Sequence, residues 1–131
     1  ATAVKAATRI GGIPVVVSFV CGVDGKLLSG ESLAEAVRVM IDLGANVVGV
    51  NCVSTPQIKS CLDQIRPLNT LTIGYGSIGY ADDNVGWVNT DAVDPEVYVR
   101  YASEWEAHIV GGCCGVTPEH ISRLKAVLRV R

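Results

Sequence analysis

The sequence predicts an α/β fold of four parallel βα units forming one domain over residues 1–131, either a small open sheet or half of a (βα)8 TIM barrel. Three observations point to it. Short apolar runs alternate with amphipathic stretches of about ten to fifteen residues, the rhythm of doubly buried strands joined by crossover helices. No linker or low-complexity segment divides the chain. A helix precedes the first strand like the tail of an earlier unit, which favours half a barrel over a small open sheet.

Taken in order, Ala1–Ile10 reads as a helix with Val4, Ala7 and Ile10 on one face, stopped by Gly11-Gly12. Pro14–Val20 is rich in Val and Phe and reads as a buried strand. Ser32-Leu33-Ala34-Glu35 is a capping box that opens a helix through Val37, Met40 and Ile41 to Gly44. Asn46–Asn51 is the second strand. Thr55-Pro56 starts a helix whose apolar face is Ile58, Leu62 and Ile65. Thr70–Tyr75 is the third strand, and Gly76–Val93 a long connection. Asp94-Pro95-Glu96 opens a helix with Val97, Tyr101 and Trp105 inward, and His108–Gly111 is the fourth strand. Thr117-Pro118-Glu119 opens the last helix, with Ile121, Leu124 and Leu128 toward the core. Three helices therefore share one predicted start, a side-chain oxygen that caps free amides followed by Pro at the first helical position.

Composition removes several classes of function. With 49% hydrophobic residues the chain has the apolar surface to fold. A net charge of −2 offers no footprint for nucleic acid or anionic lipid. No apolar run approaches the roughly 18 residues of a membrane span, and Ala1–Arg9 has no apolar segment of the kind a secretory signal carries. Five cysteines, an odd number, fit a disulfide framework poorly. The expected location is the reducing cytoplasm, where clustered cysteines bind metal or do chemistry.

Functional groups of parallel α/β folds gather at the C-terminal ends of the strands. Cys52 directly follows the second strand, and Cys113 and Cys114 directly follow the fourth, so three sulfurs can converge at one mouth. Three thiolates leave one position open on tetrahedral Zn²⁺, the pattern of a catalytic site, and sulfur excludes Mg²⁺ and Ca²⁺. Such a zinc suits activation of a thiol for alkyl transfer, because a free thiol with pKa about 8.5 is mostly protonated at neutral pH. Hydrolysis is disfavoured by the lack of H-E-x-x-H or a His cluster. Two other readings stand beside the metal site: buried core cysteines, or a redox-active vicinal pair at Cys113-Cys114. Cys61, beside Ile58 and Leu62, is expected to pack. Cys21 is expected to be an uninvolved thiol, His120 to contribute to a helix cap, and His108 to be structural.

The cysteine segments resemble those of the homocysteine S-methyltransferases, a group that includes the S-methylmethionine- and betaine-dependent enzymes and the homocysteine domain of cobalamin-dependent methionine synthase. The resemblance rests on Pro14–Phe19, Asp24–Leu33, Gly44–Cys52 and the segment Ile109-Val110-Gly111-Gly112-Cys113-Cys114-Gly115-Val116-Thr117-Pro118-Glu119-His120-Ile121. It implies that residues 1–131 are part of a homocysteine-binding barrel domain in which Cys52, Cys113 and Cys114 bind zinc. Homocysteine sulfur would complete the coordination and take a methyl group from S-methylmethionine, S-adenosylmethionine, betaine or methylcobalamin, giving methionine. The four strands would be the fifth to eighth of the barrel. The implied partners of the chain are an N-terminal barrel half or a second copy, with no nucleic acid and no membrane. Asn51 and Ser77 are candidates for substrate contacts. Tyr75, Tyr80 and Trp87 are candidates to pack over a cationic donor.

Three departures from the family pattern stand out. The family barrel has about 250 residues or more, roughly twice this chain, and carries groups for the homocysteine amino acid moiety on strands that have no counterpart here. The third strand usually runs into Pro-Asn-x-Gly, where this chain has Tyr75-Gly76-Ser77-Ile78-Gly79, so Ser77 replaces the Asn. Trp105-Glu106-Ala107-His108-Ile109 joins helix to strand without the Gly-containing turn of the relatives, an expected point of strain on the approach to Cys113.

Overall fold

A computed structural model describes residues 1–22 and 24–128. Helix α1 (Thr2–Ile10) leads into β1 (Val16–Phe19), α2 (Leu33–Asp42), β2 (Val47–Ser54), α3 (Ile58–Ile65) and β3 (Leu71–Ser77). A hairpin of β4 (Gly79–Asp82) and β5 (Gly86–Asn89) follows, then α4 (Pro95–Glu104), β6 (Ile109–Gly112) and α5 (Pro118–Leu128). Strands β1, β2, β3 and β6 form one sheet in that order, every neighbouring pair parallel. Each parallel step needs a crossover helix to return the chain, and α2, α3 and α4 are those helices. The fold is therefore the expected one, four consecutive βα units of a (βα)8 barrel corresponding to its C-terminal half.

The core lies between the sheet and its helices. Val48 and Val50 of β2 are fully buried there with Leu33 and Val37 of α2 and Ile58, Cys61, Leu62 and Ile65 of α3. The predicted apolar face of α3 is thus observed. Helix α2 begins as its capping box requires, with Ser32 Oγ accepting from the Glu35 amide at 3.4 Å.

The shared helix start holds at α4 alone. There Asp94 Oδ1 accepts from the Glu96 amide at 2.8 Å, with Pro95 next in the chain. At Thr55-Pro56 the chain first makes a 3₁₀ turn, Thr55–Gln57, and Thr55 Oγ1 donates to the Ser77 carbonyl at 2.7 Å rather than capping. At the last helix Thr117 Oγ1 meets His120 Nδ1 at 2.8 Å. A distant carbonyl has taken the Thr55 hydroxyl, and a side chain in the first turn of α5 itself has taken that of Thr117.

Two inward faces are rotated from expectation. Helix α4 buries Tyr98, Val99 and Ala102, with Trp105 just beyond its end, and leaves Val97 and Tyr101 half-buried. Helix α5 buries His120 and Leu124, while Ile121 is 45% exposed. In α1, Val4 is buried but Ile10 is exposed. The connection 76–93 contains the antiparallel hairpin, whose turn is held by Asp82 Oδ1 accepting from the Asn84 and Val85 amides. Those two amides hold the Asp82 carboxyl below the usual carboxylate range.

Cys21 and Cys61, expected as an uninvolved thiol and a packing residue, are both buried and are paired with each other as a disulfide between the end of β1 and α3. They remain bystanders to the cysteines at the sheet mouth. Packing alone described Cys61 incompletely, because the helix face that buries it also faces the chain leaving β1.

Candidate metal centre

Strand β2 runs past its expected end at Asn51, through Cys52, to Ser54. It does so by a bulge: the register with β3 slips between Asn51 and Val53, and Cys52 is the extra residue. Its φ of +56° is left-handed, a conformation uncommon for a residue with a Cβ and one that collects at functional sites. The bulge turns Cys52 out of the alternation between the two faces of the sheet. It is exposed, between half-buried Asn51 and buried Val53.

Cys113 and Cys114 follow β6 on a loop sewn to β3. The Cys113 amide donates to the Gly76 carbonyl at 2.9 Å, and the Ile78 amide donates to the Cys114 carbonyl at 3.1 Å. The loop turns at Gly115, φ +78°, where a Cβ would stand 2.5 Å from Ile78 Cγ1. Only glycine satisfies both the left-handed backbone and the contact.

The three sulfurs converge as the strand ends predicted, with their Sγ atoms all within 4.8 Å of one another. Cys113 and Cys114 sulfurs are 3.8 Å apart and Cys52 and Cys113 sulfurs 2.6 Å. Tetrahedral Zn–S bonds of about 2.3 Å place sulfurs about 3.8 Å apart. The Cys113–Cys114 edge already has that length, the Cys52–Cys113 edge reaches it with an opening of about an ångström, and the Cys52–Cys114 edge lies within 4.8 Å. Cys52 and Cys114 are exposed and Cys113 half-buried, so a further ligand has access. The donor set and spacing fit a thiophilic ion, and these three cysteines could hold one. The vicinal pair proposed from sequence is not the tightest contact, because Cys113 lies nearer Cys52 than Cys114.

Asn51 donates its side-chain amide to Cys52 Sγ at 3.2 Å, so its contact here is with a cluster sulfur. Ser77, 1% exposed, ends β3 between the two residues that hold the cysteine loop, and its hydroxyl has no hydrogen-bond partner among the described residues. Tyr75 lies against Gly111, where a Cβ would stand 2.9 Å from its ring. Tyr80 and Trp87 sit on the hairpin, each 48% exposed, and Trp87 Nε1 donates to Asn89 Oδ1 at 2.7 Å. A cleft of about 190 Å³ lined by Asp91, Val97, Arg100, Tyr101 and Glu104 is not lined by the cysteines.

Two histidines have the structural roles expected of them. His108 Nδ1 accepts from the Thr72 amide at 3.1 Å. His120 Nδ1 accepts from the Thr117 amide at 3.2 Å, which leaves Nε2–H to donate to the Ala92 carbonyl at 3.3 Å.

One residue beside the site carries no signal of its own in the sequence. Tyr98, fully buried on α4, reaches the Gly111 carbonyl at 2.8 Å and the Gly76 carbonyl at 3.0 Å with its hydroxyl. Burial pushes its pKa up from the ordinary tyrosine value, and the nearby Cys113 adds to the rise. It acts as a neutral donor. Its position is one residue from the predicted helix face, an offset that periodicity alone does not resolve.

The sequence matches the family model described as homocysteine S-methyltransferase over residues 1–128. Homocysteine S-methyltransferase 1 of Zea mays is 30% identical over 124 residues, covering 87% of this chain and 38% of the relative. Homocysteine S-methyltransferase 3 of Arabidopsis thaliana is 31% identical, covering 88% and 35%. The metallated form of the homocysteine methyltransferase MmuM from Escherichia coli superimposes with a TM-score of 0.70 at 20% identity, over 94% of this chain and 40% of that one. This chain belongs to the homocysteine S-methyltransferase family, and it spans a little over a third of the length of these curated relatives.

Proposed function

We propose that residues 1–131 are part of a homocysteine-binding domain and supply the zinc site of a homocysteine S-methyltransferase. The observation that carries this reading is the convergence of Cys52, Cys113 and Cys114 within 4.8 Å at the C-terminal end of the parallel sheet. Zinc held by three thiolates supplies a positive centre that favours the deprotonated form of a fourth sulfur at neutral pH.

Binding and orientation fall to the chain's own residues. Cys52, Cys113 and Cys114 are the ligands, and the Asn51 amide steadies the Cys52 sulfur. Ser77, whose hydroxyl is buried at the end of β3 with no partner among the described residues, is a substrate contact, one that requires the residues covering it to move aside. The homocysteine sulfur attacks the methyl carbon in line. An S–C bond forms, the bond from methyl to its carrier breaks with both electrons going to the carrier, and the product is methionine. Tyr75, Tyr80 and Trp87 present aromatic faces to a cationic donor such as S-methylmethionine, S-adenosylmethionine or betaine, with methylcobalamin the alternative donor. Keeping these three sulfurs reduced for the metal calls for a reducing compartment such as the cytoplasm, a setting in which the Cys21–Cys61 bond is an exception.

A second reading is a non-catalytic zinc-binding half-barrel that needs a partner half for activity. The sheet edges at β1 and β6, open among the described residues, favour it. One experiment addresses both. Purified in reducing buffer, the chain is expected to carry close to one zinc, lost in Cys52→Ala and Cys114→Ala, and absence of zinc overturns the site. Methionine formation from homocysteine by the chain alone would exclude the second reading.

A further inference from the structure

The hydroxyl of Tyr98 sits where the cysteine loop leaves the sheet. The pairing of β3 with β6 ends at Tyr75–Gly111 and Gly76–Gly112, and Cys113 is the next residue after β6. Two backbone bonds carry the loop beyond that point, Cys113 N–H to Gly76 O and Ile78 N–H to Cys114 O. The Gly76 carbonyl accepts from the Cys113 amide and shares the single Tyr98 hydroxyl proton with the nearer Gly111 carbonyl of the other strand. A single O–H group bridges the two strands that carry the loop, at the rung before the first of its sulfurs.

The ring that holds this hydroxyl has little freedom. Trp105 meets it edge-on with centroids 5.8 Å apart, and His120 does so at 5.4 Å. His120 is itself fixed at both nitrogens, to Thr117 on the far side of the cysteine loop and to Ala92. Thus α4 touches the loop's start through Tyr98, and α5 its end through His120.

We propose that Tyr98 is a positioning residue for the metal centre, setting where Cys113 stands relative to Cys52 and Cys114. This rests on the reading of the three cysteines as a metal site. Groups that orient ligands through hydrogen bonds change metal affinity by about 10–100-fold when removed. Tyr98 acts through the backbone that carries the ligand, so the lower end of that range is expected.

The test is Tyr98→Phe, which keeps the ring and both edge contacts and removes only the oxygen. Zinc affinity is measured by competition with a chromophoric chelator, and Co²⁺ substitution reports ligand geometry through its thiolate charge-transfer and d–d bands. The expected result is about tenfold weaker zinc binding together with shifted cobalt bands, and a metal-free urea midpoint lowered only modestly. Wild-type affinity and an unchanged cobalt spectrum in the variant would overturn the proposal while leaving the metal site standing. Weaker binding with unchanged cobalt bands would also overturn it, since that is a merely structural effect. A wild-type chain that takes up neither ion overturns the site and the proposal together. Should Tyr98→Phe fail to fold, a ring-fluorinated tyrosine at 98, isosteric and a stronger donor, must by itself shift the cobalt bands. Unchanged bands there count against the proposal.

Discussion

Cys52 accepts a left-handed backbone to leave its strand, and Ser77 keeps a hydroxyl in the interior with no partner among the described residues. Burying a hydroxyl unpaired costs about 1–3 kcal/mol, so its removal relieves the free chain. Ser77→Ala is therefore expected to leave the metal-free protein as stable as the wild type, or up to about 1 kcal/mol more stable, by urea denaturation. If Ser77 contacts homocysteine, the same change raises KM for homocysteine several-fold in any assembly that forms methionine. A clear loss of stability would mean that the hydroxyl has a structural partner instead. The sulfurs and their order were legible in the sequence because cysteines at strand ends are rare and the Gly-Gly-Cys-Cys-Gly segment is distinctive. Tyr98 was not legible. Its role depends on α4 being turned by about one residue from the predicted face, and the side chains of neighbouring elements set that rotation.

At the level of elements, the join between α4 and β6 carries the local strain. Glu106 takes φ +51°, a left-handed conformation that costs an L-residue about 1–2 kcal/mol. Its carboxylate also meets Arg66, but that pair is exposed and contributes little. Glycine forfeits about 0.5–1 kcal/mol through the extra freedom of the unfolded chain. The net expectation for Glu106→Gly is a gain of roughly 0.5 kcal/mol in urea denaturation. A loss larger than that would show that the ion pair with Arg66 outweighs the backbone. The three predicted Pro-led helix starts make the complementary point. Two of the three begin where the sequence says and the third after a 3₁₀ turn, yet Thr55 and Thr117 direct their hydroxyls to Ser77 and His120, partners far away or a turn along in the chain.

For the molecule as a whole, the consequential feature is a four-stranded parallel sheet whose two edge strands, β1 and β6, have no further neighbour among the described residues. Val16, Leu71 and Ile109 are 46%, 50% and 43% exposed, one on each of three strands. Parallel sheets are normally covered on both faces, and open apolar edges invite another chain. The proposed occupant is an N-terminal barrel half or a second copy, either of which offers parallel strands to both edges. Light scattering on the isolated chain is expected to report a mass above that of one chain. Ile109→Lys is expected to lower it, and a monomer at all concentrations in both would remove the second copy from consideration.

By itself the sequence determined the order of strands and helices, the parallel sheet and the three cysteines at its mouth. Those follow from hydrophobic periodicity and from which residues end each strand, and both are local properties of the chain. Tertiary structure decided what local pattern cannot carry: the bulge that turns Cys52 outward, the pairing of Cys21 with Cys61, the hairpin between β3 and α4, and the clamp of Tyr98. Each depends on contact between residues distant in sequence or on register between strands. Such contacts acquire their energy only once the chain has packed.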